Sequence, residues 1–194
     1  YKELLNFCTV DLSAFYFDIR KDCLYCDPLD SKKRNATILL LNIILKSLLR
    51  WFAPILSFTT EEIYRMLYKN NKSIHLEKFF KFPKKFNNDQ LSKKWNELIK
   101  IRDICNVSIE EKRASKEIGS SLEAELKIEI NKNLKDLIKN IDFSELCITS
   151  KAEVIYSIQE ETIAETIKAK GSKCSVCWKI SQIPCQRHSC PKSD

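Results

Sequence analysis

The chain has 194 residues, 44% of them apolar and 30% charged, the balance of a folded globular protein, and its two glycines and five prolines exclude collagen-like, linker-like and low-complexity readings. Thirty-three Lys and Arg against 26 Asp and Glu leave a net charge of +7. The ends carry it: residues 1–88 hold 15 basic and 9 acidic side chains, residues 89–173 hold 15 and 16, and residues 174–194 hold 3 and 1. Basic ends suit an elongated polyanion, because Lys and Arg gain affinity by releasing its counterions; a merely solvated Lys-rich surface is the plainer reading.

Tyr1 stands where a Met would open a chain, and helical periodicity starts at once, so a segment of a longer protein is expected, with no signal peptide. Leu4, Leu5, Cys8, Leu12, Phe15, Tyr16 and Ile19 recur at spacings of three and four, which predicts a first helix to about residue 25. Cys26-Asp27-Pro28 ends it, since proline disfavours a helical residue before it. Cys23 and Cys26 form a Cys-x2-Cys with no other Cys or His close in sequence, and read as structural thiols.

A second helix, from about Lys32 to Phe52, is apolar nearly all round and is expected to be the central, most buried one. Its apolar run, Ile38 to Leu56, is broken by Lys46 and Arg50 and falls short of the roughly 18 uncharged residues of a membrane span, so no membrane partner is expected. Thr59 and Glu62 have capping-box spacing and would open a third helix to about Tyr68. Residues 69–88 read as a flexible connection rich in Lys, Phe and Asn. A fourth helix over about 89–116 places Leu91, Trp95, Leu98, Ile101, Cys105 and Ile109 on one stripe, with Gly119 as its left-handed stop.

The period then changes to two. Leu126, Ile128 and Ile130 alternate with polar residues and predict a strand; Leu134 to Ile141 predicts a short helix; Leu146 to Ile148, Val154 to Ile158 and Ile163 to Ala169 predict further strands. From Gly119 to Thr166 there are 10 acids against 5 lysines, so this small α/β module is a poor nucleic-acid face.

The strongest local signal is at the C-terminus. Cys174-x2-Cys177 is a half-site in which a tight turn aims two thiolates at one ion, and Cys185 with Cys190, or with His188, supplies the other half. Four soft ligands suit a closed, structural zinc site, and so small a module needs its metal to fold. Cys174, Cys177, Cys185 and Cys190 are the favoured set. An odd number of cysteines, nine, five of them scattered, does not make a disulfide framework and fits a reducing compartment. Trp178 follows the second thiol, beside Lys179 and near Arg187; it either packs on the module or lies exposed as a platform for an unstacked base. Lys32, Lys33 and Arg34 at a helix start, and Lys81, Lys84 and Lys85 between aromatics, are candidate phosphate contacts. No phosphate-binding glycine loop or nucleophile motif is present, His75 reads as a surface or capping residue, and no catalytic residue is expected.

The stretch Asn6-Phe7-Cys8-Thr9-Val10-Asp11-Leu12-Ser13-Ala14-Phe15-Tyr16-Phe17-Asp18 resembles the first bundle helix of the anticodon-binding domain of bacterial isoleucyl-tRNA synthetases. Arg50-Trp51-Phe52-Ala53-Pro54-Ile55-Leu56, Ser121-Leu122-Glu123-Ala124 and Cys174-Ser175-Val176-Cys177-Trp178 resemble further parts of the same family. The resemblance implies a mainly α protein in three parts: a helical anticodon-binding bundle (1–118), a small α/β junction module (119–170) and a zinc module (171–194). It further implies binding of the anticodon stem and loop of tRNA(Ile), and catalytic and editing domains elsewhere in a longer ligase that uses ATP. The expected state is a cytoplasmic monomer. The family's second metal pair is usually Cys-x2-Cys, whereas that spacing here lands on His188. The same region of a valyl- or leucyl-tRNA synthetase, and a stand-alone zinc interaction module, are the alternatives.

Overall fold

A computed structural model describes residues 1–69 and 72–187. The chain divides into two compact units, one made of Tyr1–Pro28 with the chain from Asn88 onward, the other of Leu29–Asn87. In chain order, α1 is a continuous run of Lys2–Asn6, a π-wound Phe7–Phe17 and Asp18–Cys26; α2 is Lys32–Phe52, α3 Ser57–Tyr68, α4 Asp89–Ala114, α5 Lys135–Ile138 and α6 Phe143–Leu146. The strands are β1 Ala124–Asn131, β2 Lys151–Ser157, β3 Ile163–Lys168, β4 Ser172–Lys173 and β5 Ile180–Ser181. The protein is thus mainly α with a small mixed sheet.

In the first unit, α1 ends as its sequence requires, with Asp27 extended (ψ 149°) ahead of Pro28. The core is built on β1, whose Ala124, Leu126, Ile128 and Ile130 are wholly buried on one face. Against them lie Leu98, Ile101, Cys105 and Ile109 of α4, with Ile138, Phe143, Leu146 and Cys147 from the β1–β2 crossover. β1 is central: it pairs parallel with β2 and antiparallel with β3, so Ile128 faces Val154 on one side and Ala164 on the other. The parallel pair demands a crossover, and α5 and α6 supply it. α1 is tied to this core by Phe15 edge-on to Trp95 at 6.0 Å and by Arg20 bonded to Glu145 at 2.8 Å.

Three expectations for this unit are corrected. The left-handed residue after α4 is Lys116 (φ 60°) and not Gly119, whose N–H instead donates to Glu123 Oε2 at 2.9 Å. Leu146 to Ile148 is no strand: Phe143–Leu146 is helical, capped by Asp142 Oδ1, and Ile148 is left-handed (φ 56°). The expected stripe on α4 is buried only from Leu98 onward, while Leu91 is exposed. Between them Trp95 is half-buried against Phe15 of α1.

In the second unit, Ser31 Oγ caps α2 by accepting from Arg34 N–H. α2 is not the most buried helix. Only Thr37, Ser47 and Leu49 are buried, and Leu39 is 64% exposed. Among the described residues its unit has one other long helix and two short helical turns, Ile74–Leu76 and Lys84–Phe86, to set against it, too little to cover an apolar surface that runs all round. By length and composition alone α2 is apolar enough to cross a membrane. Its charged Arg50 is bound by Glu77 at 2.6 Å. The capping box at Thr59 and Glu62 does not form, because α3 begins two residues earlier, at Ser57. Glu61 is the working acid: its carboxylate accepts from Ser73 Oγ at 2.8 Å and Ile74 N–H at 2.9 Å. Glu77 likewise accepts from Tyr64 Oη and from Arg50, so two carboxylates fasten part of the connection expected to be loose. Both carboxyls sit below the usual range, Glu61 chiefly through Ser73 and Glu77 chiefly through Tyr64.

Candidate metal centre and nucleic-acid interface

Beyond β3 the chain makes a two-strand hairpin, with Ser172 opposite Ser181 and Lys173 opposite Ile180. Gly171 starts it at φ +132°, and a side chain there would meet the Ser181 backbone at 2.2 Å, so only glycine allows the strands this close. Cys174 N–H donates to Lys179 O at 2.9 Å and Trp178 N–H to Cys174 O at 3.1 Å, closing a tight turn around Cys174 to Cys177. Ser150 joins the hairpin to the sheet: its Oγ accepts from Ile180 N–H at 2.6 Å and donates to Leu122 O.

This fold brings Cys174, Cys177 and Cys185 together, with their sulfurs all within 4.8 Å of one another. Cys177 and Cys185 sulfurs lie 3.9 Å apart, close to the edge of about 3.8 Å in a tetrahedron with zinc–sulfur bonds of about 2.3 Å. Val176 N–H points at Cys174 Sγ at 3.4 Å, the backbone support that thiolate ligands commonly receive. Burial first, and the neighbouring thiols after it, push Cys177 up to about 11. Three soft donors at this spacing fit a metal ion such as zinc. Cys190 and His188, the two candidates for a fourth ligand, lie outside the described residues.

Cys26 is not the isolated thiol that its sequence neighbours suggested. It is buried in one cluster with Cys174 and Cys177, so the end of α1 packs directly against the metal-binding turn. Among the described residues every cysteine is free of disulfide bonds. Cys147 is raised far above the ordinary thiol range, first by its hydrogen bond with Cys105 and then by burial, which makes it an inert core thiol.

Trp178 is 59% exposed and held in left-handed backbone at φ +61°. It stands out from the turn, with Lys173 Nζ 5.8 Å from its ring centre. Beside it opens a cleft of about 530 Å³ lined by the apolar Ile19, Tyr25, Leu122, Ile148 and Val176, by Lys21 and Lys179, and by the carboxylates of Asp18, Asp22 and Glu145. Tyr25 is 79% exposed and was not recognised from sequence, because it lies between the two thiols that drew the reading there. Arg187 is placed differently from Trp178: both arms of its guanidinium are taken up by Asp22.

The remaining candidate contacts lie in the other unit, with Lys32, Lys33, Lys81, Lys84 and Lys85 exposed and Arg34 half-buried. That unit carries twelve basic and four acidic residues, so the chain's excess charge is concentrated there. Phe82 lies within 6.4 Å of Trp51, Phe80 and Phe86, which makes the segment holding Lys81, Lys84 and Lys85 an aromatic strip studded with cations.

The family model described as the anticodon-binding domain of tRNA ligase matches residues 1–130. The chain belongs to that family. It is 66% identical to the isoleucine–tRNA ligase of Pelagibacter ubique over 97% of its own length and 21% of the relative's. It is 39% identical to the isoleucine–tRNA ligases of Bartonella henselae and Agrobacterium fabrum, in each case over 93% of the chain and 20% of the relative. The chain therefore spans about a fifth of the length of the curated relatives it matches. The family match ends within β1, so the metal-binding turn and the exposed Trp178 lie beyond it.

Proposed function

We propose that this chain is the tRNA-binding part of an isoleucine–tRNA ligase, holding the anticodon stem and loop of tRNA(Ile) while catalytic and editing domains elsewhere in the ligase attach isoleucine with ATP. The observation that carries this reading is the 66% identity with an isoleucine–tRNA ligase across nearly the whole chain. The division of labour follows from chemistry. Lys32, Lys33, Arg34, Lys81, Lys84 and Lys85 supply charge to phosphates, which sets affinity and register and carries no sequence information. Trp178 and Tyr25, which line one cleft, offer apolar rings to a base swung out of the loop, and Lys179 offers it a hydrogen bond.

Zinc held by Cys174, Cys177 and Cys185, with Cys190 as the fourth ligand, is the proposed structural ion. It would supply folding energy to a hairpin too small to have a core, and no reactivity. A cytoplasmic monomer is the proposed state.

Chemical footprinting of a tRNA(Ile) transcript with and without the zinc-loaded chain tests the reading. Protection of the anticodon stem and loop, competed by tRNA(Ile) and poorly by tRNA(Val) or tRNA(Leu), is expected. Absence of protection, or equal competition by all three, refutes it. Metal analysis should find one zinc per chain; Cys190→Ser and His188→Ala separate the two ligand sets, because only the true ligand's loss releases the ion.

A further inference from the structure

Arg187 and Asp22 are 165 positions apart in sequence and meet in a two-pronged ion pair, Nη1 to Oδ1 at 2.7 Å and Nη2 to Oδ2 at 2.6 Å. Asp27 adds a second carboxylate, 3.8 Å from Nη2. The pair is partly shielded, with 30% of the arginine side chain and 24% of the Asp22 side chain exposed. The parallel fork is the strongest geometry open to an arginine and a carboxylate, and a lysine cannot reproduce it.

Its place in the chain matters more than its strength. Arg187 follows Cys185 by two residues, and Cys185 joins the thiol cluster from the far side of the hairpin. Asp22 lies one turn before Cys26, the residue of α1 buried against Cys174 and Cys177. The same turn of α1 therefore meets the hairpin region through the buried Cys26 thiol, against Cys174 and Cys177, and through the ion pair to Arg187, which Cys26 also hydrogen-bonds.

We infer that Asp22 and Arg187 are positioning residues that latch the metal-binding hairpin onto α1, so that metal loading and the seating of Trp178 beside Tyr25 are coupled. An ion that fixes Cys185 also fixes the chain two residues on, and delivers the guanidinium to Asp22 with little further ordering. The coupling is reciprocal: what the metal contributes to the latch, the latch contributes to metal affinity. Arg187 thus serves tRNA binding through Asp22 and not as a phosphate or base contact. The inference rests on the zinc reading above, and it makes one statement that survives without zinc, namely that Asp22 protects the hairpin.

The test uses the purified chain and Zn²⁺ alone, with a chromophoric chelator as competitor and amide hydrogen exchange across residues 172–187 as a second readout. Asp22→Ala and Arg187→Ala should each weaken zinc binding about tenfold, the low end for a hydrogen-bonded charge pair that is partly exposed. The double variant should be no worse than the worse single one, since both remove the same interaction. Arg187→Lys should recover only part, and exchanging the charges, Asp22→Arg with Arg187→Asp, should recover more than either single exchange allows. The hairpin amides should exchange faster in Asp22→Ala while those of β1 do not, which separates a lost latch from a lost fold. Unchanged zinc affinity and exchange in both single variants overturns the inference, as does full additivity in the double. With a tRNA(Ile) transcript the two alanine variants should weaken binding alike, at an unchanged salt slope. If Arg187→Ala lowers the slope by about one and Asp22→Ala does not, Arg187 is a phosphate contact and the latch is refuted.

Discussion

Replacing Trp178 by alanine separates what its ring does for the protein from what it does for a ligand. The ring is 59% exposed, so the chain covers only about two-fifths of it. Full burial of a large apolar side chain is worth about 1.5–3 kcal/mol, which puts the packing lost at about 1 kcal/mol. A structural zinc site contributes about 10–16 kcal/mol, so the module should keep its metal without the ring. A base stacked on an aromatic side chain is worth about 1–3 kcal/mol, so binding of a tRNA(Ile) transcript should weaken about 5- to 150-fold. Trp178→Phe should regain part of this, since a smaller π-face remains. Trp178→Gly should hold zinc at least as well as alanine does, because the left-handed backbone at φ +61° costs a residue with a side chain about 1–2 kcal/mol. The assay is a titration of labelled tRNA at several salt concentrations, beside zinc stoichiometry on the same preparations. Zinc content and salt slope should hold while affinity falls. Loss of zinc together with affinity would mean that the ring is a structural wedge, and unchanged affinity would remove Trp178 from the binding surface.

Neutralising Lys81, Lys84 and Lys85 together should lower the salt slope of tRNA binding by roughly two, at about 0.7 per single-strand phosphate contact; an unchanged slope would make them solubilising charges only. Gly171→Ala should prevent the β4–β5 pairing, because the new carbon meets the Ser181 backbone at 2.2 Å, and zinc affinity at wild-type strength would show that the hairpin is not required for the site. Asp142→Ala should cost about 1 kcal/mol in a thermal melt near neutral pH, as the loss of a helix cap does, and Asp142→Asn much less. Burial alone would raise the Asp142 carboxyl, but bonds from Ser144 Oγ and from the Glu145 and Ser144 N–H groups outweigh it and hold it below the ordinary range. That contribution is present above the ordinary carboxylate range and disappears as pH falls through the lowered value, so the alanine penalty should shrink in acid; a penalty independent of pH would refute the assignment.

Local chemistry was legible in the sequence wherever it is decided by neighbours. Pro28 stops α1, the three-and-four spacing of apolar residues draws α1 and α4, and the alternation of Leu126, Ile128 and Ile130 with polar residues marks a strand with one wet and one dry face. Cys174 and Cys177 declare themselves because a two-residue gap is itself a turn geometry. What the sequence could not decide is which apolar surfaces find cover. α2 reads as a core helix on composition, yet burial depends on how much partner surface its unit offers, and that unit offers little. Capping signals misled for a related reason: Thr59 and Glu62 have the right spacing, but tertiary demand for Glu61 at Ser73 and Ile74 sets where the helix sits. The largest gap lies between residues far apart in the chain. Tyr25 and Asp22 carry no motif, the Cys-x2-Cys that holds Cys26 has no sequence neighbour to give it a partner, and Arg187 reads as a free cation until α1 and the hairpin are brought together. A carboxylate 165 positions away then satisfies it, and such a charge pair is specified by the fold that brings its halves to within hydrogen-bonding distance.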